Sequence, residues 1–429
     1  MSLNLHPGLK QRLAELLAAA LPKIHITHNS FIDWESFPDL SPLDAALPGP
    51  KTDLQKALVA YVGDLPLRSF ISGVLSDDLR RRPFEMDGPK RPLTGIPEYA
   101  DVSAVTARLI DAVDQLPRSY SVLVSVSNDA ASVLGPAVPQ DGLDLTPDVR
   151  LITVPEGGGP YAAQPKQDVL PFFLNPNGPP NGVTPGTLYL AITGRGYIPT
   201  LGSSAPLEFA SFMSRAFFGL CIAQVLLSRG RGYRPGGPHR RYLVVYGHSA
   251  EPYPFQGAYE FPIDLGEAID SLAIHSFLAD KSQPETLPKW VLGDLADIGA
   301  AMTRHDEDDR LLRAAQWLFD SYAATNPLLA FVQATTSLEI LLGDKTMSDL
   351  VGLGALLGNR CAFLIGKSRS QRDKILTDFQ RIYETRSKIV HRGHPRLSPT
   401  EENDLWMLHW MCSRVIQEEM KLMLADPKA

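Results

Sequence analysis

The sequence predicts an α+β N-terminal region followed by an all-α C-terminal helical bundle, and three observations support this prediction. Helical and strand-like patterns alternate up to about residue 300, strand signals disappear after residue 305, and five strongly helical segments with short connectors follow. The chain of 429 residues is also long enough for two or three hydrophobic cores. We therefore expect an α+β region over residues 1–300, with room for two subdomains, and a helical bundle over residues 305–425.

The composition is typical of a soluble globular protein, with 44% hydrophobic residues, 21% charged residues and a net charge of -7. An acidic chain has no general attraction for nucleic acids, so binding to a polyanion would require a local basic patch. The longest apolar run, residues 209–227, is interrupted by Ser211, Arg215 and Gln224, and the N-terminus lacks a basic-then-apolar signal pattern. We therefore expect neither a membrane span nor a signal peptide.

The three cysteines lie far apart, each within an apolar helical pattern: Cys221, Cys361 and Cys412. An odd number of scattered cysteines is typical of buried thiols in a reducing compartment, and not of a disulfide or zinc framework. We therefore expect a cytoplasmic protein that uses no metal and no other cofactor.

The region before residue 300 combines four helical patterns with four β-rich runs. The helical patterns cover Leu9–Ala20, Leu54–Val62, Val102–Gln115 and Leu207–Leu227. The β-rich runs are Tyr120–Ser127, Val149–Val154, Thr187–Thr193 and Arg241–Tyr246. Long connections rich in proline and glycine, such as residues 174–186, argue against a doubly wound sheet with short loops. The prediction here is an α+β arrangement without a named topology.

The five helices of the bundle each carry a start or stop signal. With their caps they cover residues 305–323, 326–343, 348–365, 370–392 and 398–424. The acidic residues at 305–309 favour a helix start because the helix dipole is positive there. Asn326 and Pro327 supply an N-cap and a first-turn proline, and Gly393 is a typical stop. Ser398 and Glu401 form a capping-box pattern.

Two of these helices carry a charged residue within an otherwise apolar stripe. The stripe of the fourth helix comprises Ile375, Phe379, Ile382 and Ile389, and that of the second comprises Leu328, Val332, Thr335 and Leu342. Arg386 and Glu339 continue these stripes at helical spacing, which places both charges in buried seams. An unpaired buried charge is strongly destabilising, so we expect a Glu339–Arg386 ion pair across the bundle.

His391 lies outside this seam, because five residues at about 100° each place it roughly 140° round the helix from Arg386. It shares a polar face with Ser387, Glu384 and Gln380. A neighbouring basic row comprises Arg381, Lys388 and Arg392. Residues 360–396 contain ten Lys or Arg and three Asp or Glu, a local balance of +7. A polyanion such as RNA could therefore dock here, in contrast to the chain as a whole.

The spacing between arginine and histidine is not diagnostic in itself. The same spacing of five to seven positions also occurs at two other places, Arg234 with His239 and Arg241 with His248. Only Arg386 with His391 lies at the end of an amphipathic helix, with a seam carboxylate available to hold the arginine. The position in the predicted fold is therefore more informative than the spacing.

Three segments of the bundle resemble the HEPN superfamily, in particular its ApeA-like branch. They are TTSLEILLG (Thr335–Gly343), NRCAFLIG (Asn359–Gly366) and RIYETRSKIVHRG (Arg381–Gly393), and the resemblance covers residues 306–424. Members of this superfamily are α-helical and usually dimerise, and many are metal-independent endoribonucleases of toxin or antiphage (abortive infection) systems. The resemblance implies a homodimer through the bundle, with Arg386 and His391 as the active site. Ser387 occupies the position after the arginine, where asparagine, aspartate or histidine is often found.

Under this resemblance the protein would cleave RNA, with tRNA as one candidate substrate, and the 2′-hydroxyl of the RNA would be the nucleophile. His391 would act as the general acid or base and Arg386 as the phosphate clamp, with Ser387 as a second hydrogen-bond donor. The supporting residues would be Glu339, which orients the arginine, Tyr383 and Glu384. The RNA-binding residues would be Arg381, Lys388 and Arg392. The region over residues 1–300 would recognise a trigger that the sequence does not name.

The same residues also allow a non-catalytic interpretation. Arg386 could be purely structural, and His391 could complement the carbonyl end of its helix. The bundle would then be a dimerisation or nucleotide- or RNA-binding module in a regulatory protein.

Two other motifs have competing interpretations. Tyr246–Pro252 places a strand before Gly247-His248-Ser249, as in a serine-hydrolase elbow, but Glu251 stands where that motif requires a second glycine. Residues 228–241 carry five arginines among glycine and proline, which could follow a phosphate backbone, although a solvated loop is the simpler interpretation.

Overall fold

The computed structural model describes residues 3–49, 51–161, 180–200, 204–229, 240–276, 278, 286–304, 309–343 and 352–425. A small antiparallel sheet and mixed helices come first and helices alone follow, so the predicted order of α+β and helical regions is confirmed. Parts of several predicted features lie outside the described residues: 174–179, 230–239, 305–308 and 344–351.

The chain divides into two compact units that cut across the predicted boundary near residue 300. The first unit comprises Met1–Ser121, Thr193–Ala210 and Gly247–Pro254, and the second comprises Val122–Ile192, Ser211–Tyr246 and Phe255–Ala429. The change in sequence pattern near residue 300 therefore marks the end of the strands and not a boundary between compact units. The unit that contains the bundle also contains most of the six-stranded sheet.

The first unit packs five helices with a short three-stranded sheet. The helices are α1 (Pro7–Ala20), α2 (Ser41–Ala45), α3 (Asp53–Val62), α4 (Pro66–Arg80) and α5 (Val102–Asp114). The strands are β1 (His25–Thr27), β2 (Phe31–Ile32) and β3 (Arg91–Pro92), antiparallel in the order β2-β1-β3. Helices α1, α3 and α5 were predicted. Helix α4 was not predicted, although Leu67, Phe70 and Leu75 bury one of its faces in the core.

The larger sheet has six strands in the order β10-β9-β4-β7-β6-β5 and lies mainly in the second unit. Its strands are β4 (Arg118–Ser125), β5 (Leu143–Thr146), β6 (Val149–Thr153), β7 (Leu188–Gly196), β9 (Tyr242–Gly247) and β10 (Phe255–Glu260). All four predicted β-rich runs are strands of this sheet. The two strands that the sequence did not predict, β5 and β10, are its edges. Edge strands bury fewer side chains, so their apolar pattern is weaker.

Among the described residues, three helices and one pair of short strands connect the sheet to the bundle. They are α6 (Asn128–Leu134), α7 (Ala205–Ala223), the antiparallel pair β8 (Leu227–Arg229) with β11 (Leu272–Ile274), and α8 (Ile263–Asp270). The predicted helix over Leu207–Leu227 is wrong at its C-terminal end. Val225 has a positive φ of 65°, which ends the helical region, and the chain then enters β8.

Among the described residues, the bundle contains the five predicted helices together with one that precedes them. In chain order they are α9 (Leu287–Thr303), α10 (Arg310–Ala323), α11 (Pro327–Leu342), α12 (Leu353–Ile365), α13 (Arg369–Arg392) and α14 (Pro399–Ala425). The predicted caps are present: the Asn326 side chain accepts from Leu328 N at 2.9 Å. Gly393 ends α13 with a left-handed φ of 62°. Ser398 and Glu401 close the capping box at the start of α14.

Helices α7, α10 and α14 pack closely within the second unit. The backbone of Gly219 on α7 comes so near α10 that an added Cβ would lie 1.9 Å from the carbonyl oxygen of Ala315. The ring centroids of Phe218 and Phe319 lie nearby, 5.9 Å apart, with the two rings tilted by 31°. On the other side, the Gln417 side chain of α14 donates to Ala223 O at 2.6 Å. Helices α10 and α14 of the bundle therefore pack directly against α7.

The three predicted buried thiols are confirmed: Cys221, Cys361 and Cys412 are all free and buried. No single helix among the described residues is long and apolar enough to cross a membrane. Helices α3 and α4 reach the required length and composition only as a pair, and they are bent by 41° at their junction.

The Gly219 contact gives a first testable prediction. We expect Gly219→Ala to lower the free energy of unfolding by about 1–3 kcal/mol, because the new methyl group would overlap the Ala315 carbonyl. Gly293→Ala on α9 is the matched control. Its added Cβ would meet no atom within 4 Å, so removing a helical glycine should stabilise the protein by about 0.5–1 kcal/mol. Urea unfolding of both variants measures the difference, and equal midpoints would contradict the close contact.

A second prediction concerns His409 on α14, whose Nε2 lies 2.8 Å from Ser321 Oγ and whose ring stacks on Tyr322 at 4.2 Å. Burial lowers the pKa of His409 to about 4 from the ordinary value of 6.5. Between pH 6.5 and 4 the imidazole is protonated in the unfolded chain but neutral in the native state. The contribution of His409 to stability is therefore fully present above pH 6.5 and is lost as the pH falls towards 4. We expect His409→Phe to flatten the fall in urea midpoint between these pH values. Ser321 keeps its bond to Ala330 O in the variant. A midpoint that falls as steeply as in the wild type would contradict the prediction.

Candidate active site

The predicted ion pair between helices α11 and α13 is present. Arg386 Nη2 lies 3.3 Å from Glu339 Oε1, and each side chain is about one-fifth exposed, at 22% and 21%. The hydroxyl of Tyr383 donates to the same carboxylate oxygen at 3.4 Å, and its ring lies 5.9 Å from the Arg386 guanidinium. Burial, followed by the charge of Glu339, raises the pKa of Tyr383, so the tyrosine stays a neutral donor. Two neighbouring side chains therefore fix the arginine.

The guanidinium is fixed without being saturated. Arg386 Nε is buried and has no hydrogen-bond partner among the described residues. An arginine carries five N–H donors, and the ion pair with Glu339 engages only the Nη2 end. Some hydrogen-bonding capacity is thus left for an anion such as a phosphate group.

The two charges lie at the border of the core, which corrects the predicted seams. The fully buried residues of α13 are Ile375, Asp378, Phe379, Ile382 and Thr385. Those of α11 are Ala330, Phe331, Ala334, Thr335, Ser337, Leu338, Leu341 and Leu342. Leu328 and Val332, which the prediction placed in the seam, are only half-buried. The true stripe of α11 is rotated by about one residue, because Ser337 turns inward and donates to Ala314 O at 2.8 Å. A pair at the border loses less hydration than a buried pair.

The polar face of α13 borders an open cleft between α12 and α13. The cleft has a volume of about 640 Å³, and its lining includes Gln380, Tyr383, Glu384 and Ser387. Gly354 on α12 makes room for the tyrosine, since an added Cβ would lie 2.7 Å from Tyr383 Cδ1. The predicted residues Tyr383, Glu384 and Ser387 are thus brought together along one wall.

His391 lies one helical turn beyond Ser387 and is exposed. No hydrogen bond or ion pair to its imidazole is found within the described ranges. With Arg392 it forms the last turn of α13, where a cation complements the carbonyl end of the helix. The single chain therefore presents the histidine to solvent and does not orient it.

The predicted basic row is partly neutralised. Arg381 Nε donates to both oxygens of Asp404 at 2.8 and 3.0 Å, and Nη2 donates to Asp378 at 3.1 Å. The hydrogen bonds with Asp404 raise the pKa of Arg381. Lys388 Nζ lies 3.9 Å from Glu401. Arg392 is exposed at the end of the row. Two buried carboxylates thus give Arg381 an anchoring task, and most of the charge available to a ligand lies at Lys388 and Arg392.

A second histidine, His394, belongs to this end of the bundle and was missed in the sequence. Its Nε2 lies 3.0 Å from Glu401 Oε2, and the same oxygen accepts from Ser398 N at 2.8 Å and Ser398 Oγ at 2.9 Å. The bond from the Ser398 backbone, with those from His394 and the Ser398 hydroxyl, lowers the pKa of Glu401 to about 2. Glu401 thereby ties the loop after His391 to the start of α14. The capping box revealed Glu401, but nothing in the sequence linked it to His394.

The remaining sequence candidates form no comparable site. After β9 the chain passes through a turn into β10, so Ser249 lacks the helix that a serine-hydrolase elbow requires. His248 instead contacts Ser121 Oγ at 2.8 Å and stacks on Tyr253 at 4.4 Å. Most of the arginine-rich segment at 228–241 lies outside the described residues. No group of three or more His, Cys, Asp or Glu side chains within the described ranges could hold a metal ion.

Comparisons with known proteins leave the family open. No family model, no curated protein and no solved structure matches this chain. The likeness to the HEPN superfamily therefore rests on the quoted segments alone, and the function has to be argued from the geometry of α11 to α14.

The ion pair gives a third prediction. We expect Glu339→Gln and Arg386→Gln each to lower the free energy of unfolding, and a double-mutant cycle to give a coupling energy of about 1 kcal/mol. The matched control combines Arg386→Gln with Glu384→Gln, because Glu384 is exposed on the same helix and hydrogen-bonds to Gln380. That cycle should give no coupling. Equal coupling energies in the two cycles would contradict a specific Glu339–Arg386 pair.

Proposed function

We propose that the C-terminal bundle is a metal-independent endoribonuclease of HEPN type. The observation that supports this most is the state of Arg386. Glu339 and Tyr383 hold its guanidinium, its Nε has no hydrogen-bond partner in the described part of the chain, and an exposed histidine follows five residues later on the same helix. A fixed cation with unused donors stabilises a phosphate that gains negative charge. A histidine exposed on the same helix would supply proton transfer near neutral pH.

In the proposed reaction the RNA supplies its own nucleophile. A base removes the proton of the 2′-hydroxyl, the O2′–P bond forms, and the P–O5′ bond breaks as an acid protonates the leaving 5′-oxygen. The products are a 2′,3′-cyclic phosphate and a 5′-hydroxyl, and the reaction consumes no water in this step. Arg386 would contact the non-bridging oxygens, where charge accumulates in the transition state. Ser387 would donate a further hydrogen bond from the cleft wall.

His391 serves one of the two proton transfers in each copy. A homodimer through the bundle would bring a second histidine for the other transfer, and would also supply the surface that orients the exposed imidazole. The dimer is thus part of the proposal, since a single chain leaves His391 unsupported.

The wider role follows as part of the same proposal. The protein would act in the cytoplasm as the effector of a toxin or antiphage defence system of the abortive-infection kind, with tRNA among its candidate substrates. Residues 1–300 would recognise a trigger, and the bundle would keep a basal activity in its absence. This assignment is an analogy at the level of fold and resemblance.

One observation favours the non-catalytic alternative. Active-site histidines are normally oriented by a second group, and no such group contacts His391 within the described residues. In that case the bundle would bind RNA or a nucleotide, or dimerise, without cleaving.

The fourth prediction separates these two functions. We expect purified full-length protein to cleave total RNA or tRNA in the presence of EDTA, and His391→Ala to lower the rate by about 10²–10⁴-fold because general acid–base catalysis is lost. Arg386→Ala should cost about 10²–10³-fold, as removal of one oxyanion donor does. The fragment ends are checked by ligation: an adaptor should join the 3′ ends only after polynucleotide kinase has removed the 2′,3′-cyclic phosphate.

An exposed position on α13 provides a matched control: Arg369→Ala in the first turn. This variant should cleave like the wild type. Cleavage by His391→Ala at the wild-type rate would eliminate the proposed mechanism. If the full-length wild type and all variants bind RNA but none of them cleaves it, the result would favour the non-catalytic alternative.

A further inference from the structure

A second groove lies on another side of α13 and contains two exposed tryptophans. It has a volume of about 560 Å³ and runs between α13 and α14 next to the C-terminal end of α12. Trp406 is 61% exposed and Trp410 is 46% exposed. They are four residues apart on α14, so their Cβ atoms lie roughly 5–6 Å apart on one helix face. Large exposed aromatic side chains that share a groove usually mark a binding site.

The groove is rimmed by cations. Its lining includes Lys367, Lys374 and Arg414. Lys367 and Arg414 share one carboxylate, Glu418, at 3.5 and 3.0 Å, and Lys421 adds a third cation at 3.1 Å. Lys374 is exposed and forms no ion pair within the part of the chain that the structure describes. Glu418 thus faces three basic side chains, and Lys374 adds a further positive charge. The rim of the groove therefore has a net positive charge.

The positive charge of these cations affects the pKa of Glu418. Burial acts to raise its pKa, yet the pKa is lowered, because the bonds and charges of Lys421 and Lys367 outweigh the burial. The acid that lines the groove, Asp378, is engaged by Arg381. An anion that enters the groove would therefore meet attraction from the rim.

We infer that this groove binds a nucleotide of single-stranded RNA, with the base stacked on Trp406 and Trp410 and the phosphate on Lys374 and Lys367. Aromatic side chains combined with a cationic rim are the usual means of holding an unpaired strand. The volume of about 560 Å³ suits one or two nucleotides and is typical of small-ligand pockets. The RNA as ligand class rests on the proposed function.

The groove is a subsite remote from the candidate active site. Lys374 and Arg392 lie on one stripe of α13, together with Arg381 and Lys388, and are separated by roughly 27 Å at 1.5 Å per residue. A strand bound in the groove would therefore reach His391 only if it continued along this stripe. The groove would select longer single-stranded segments and not isolated nucleotides.

The experiment measures binding without cleavage, so that it is independent of catalysis. Full-length protein is titrated against a fluorescein-labelled, fully 2′-O-methylated 12-nucleotide strand, whose blocked 2′-oxygens prevent cleavage, and anisotropy gives Kd. Trp406→Ala and Trp410→Ala should each weaken binding about tenfold. Trp290→Ala is the control, because Trp290 is 53% exposed on α9 and lies outside the groove.

Lys374→Ala tests the rim independently of the indoles. It should reduce the slope of log K against log salt by about 0.7, the value for one phosphate contact on a single strand. Lys56→Ala, exposed on α3, is its control and should leave the slope unchanged.

Three results would overturn the inference. The first is wild-type affinity in both tryptophan variants, and the second is tight binding of AMP with no binding of the strand. The third is that the two tryptophan variants bind RNA like the wild type but no longer self-associate in light scattering. That result would assign the groove to a second copy of the chain. If the tryptophan variants bind the strand more weakly but His391→Ala cleaves RNA at the wild-type rate, the proposed mechanism would be contradicted and the subsite would still be supported.

Discussion

The pairing of charges along α13 is the constraint on which the bundle depends. This helix offers few apolar residues, and its contact with α11 and α14 includes arginines that cannot be buried without counter-charges. Arg386 meets Glu339 on α11, and Arg381 meets Asp404 on α14. Each pair joins α13 to a different neighbour, so together they set its rotation. The same rotation decides that Ser387 lines the cleft and that the two tryptophans of α14 remain in a separate groove.

The two arginines show how similar residues take different tasks. Asp404 is only 1% exposed, and Asp378 is also buried, so Arg381 balances two acids that have little access to water. Arg386 has one acid at the edge of the core and keeps an unpartnered nitrogen. Anchoring and ligand binding are therefore divided between positions five residues apart. An arginine that is fully matched holds a structure together, whereas one that is partly matched can also recognise an anion.

Much of this organisation could be predicted from local sequence, and the rest depends on how helices are rotated against each other. The caps at Asn326 and Ser398 were found because capping involves residues close in sequence. The Glu339–Arg386 contact followed from periodicity, although the stripe of α11 was placed one residue away from its true position. The partners of Arg381 and His394 were missed, because Asp404 and Glu401 come from α14 and no spacing rule relates them to α13. Edge strands such as β10 were missed for a different reason, since half-exposed residues leave little alternation to detect.

The approach of Gly219 to Ala315 limits how this bundle can be inherited. If residues 305–425 were autonomous, recombination could join them to any sensor. Here the carbonyl of Ala315 occupies the place of a side chain on α7, and Gln417 satisfies the end of that helix through Ala223 O. A bundle cut at residue 305 would lose these partners and expose Phe319, which packs on Phe218. The unit that evolution can transfer is consequently longer than the segment that carries the resemblance, and mutations in α7 and α10 should be accepted only in matched pairs.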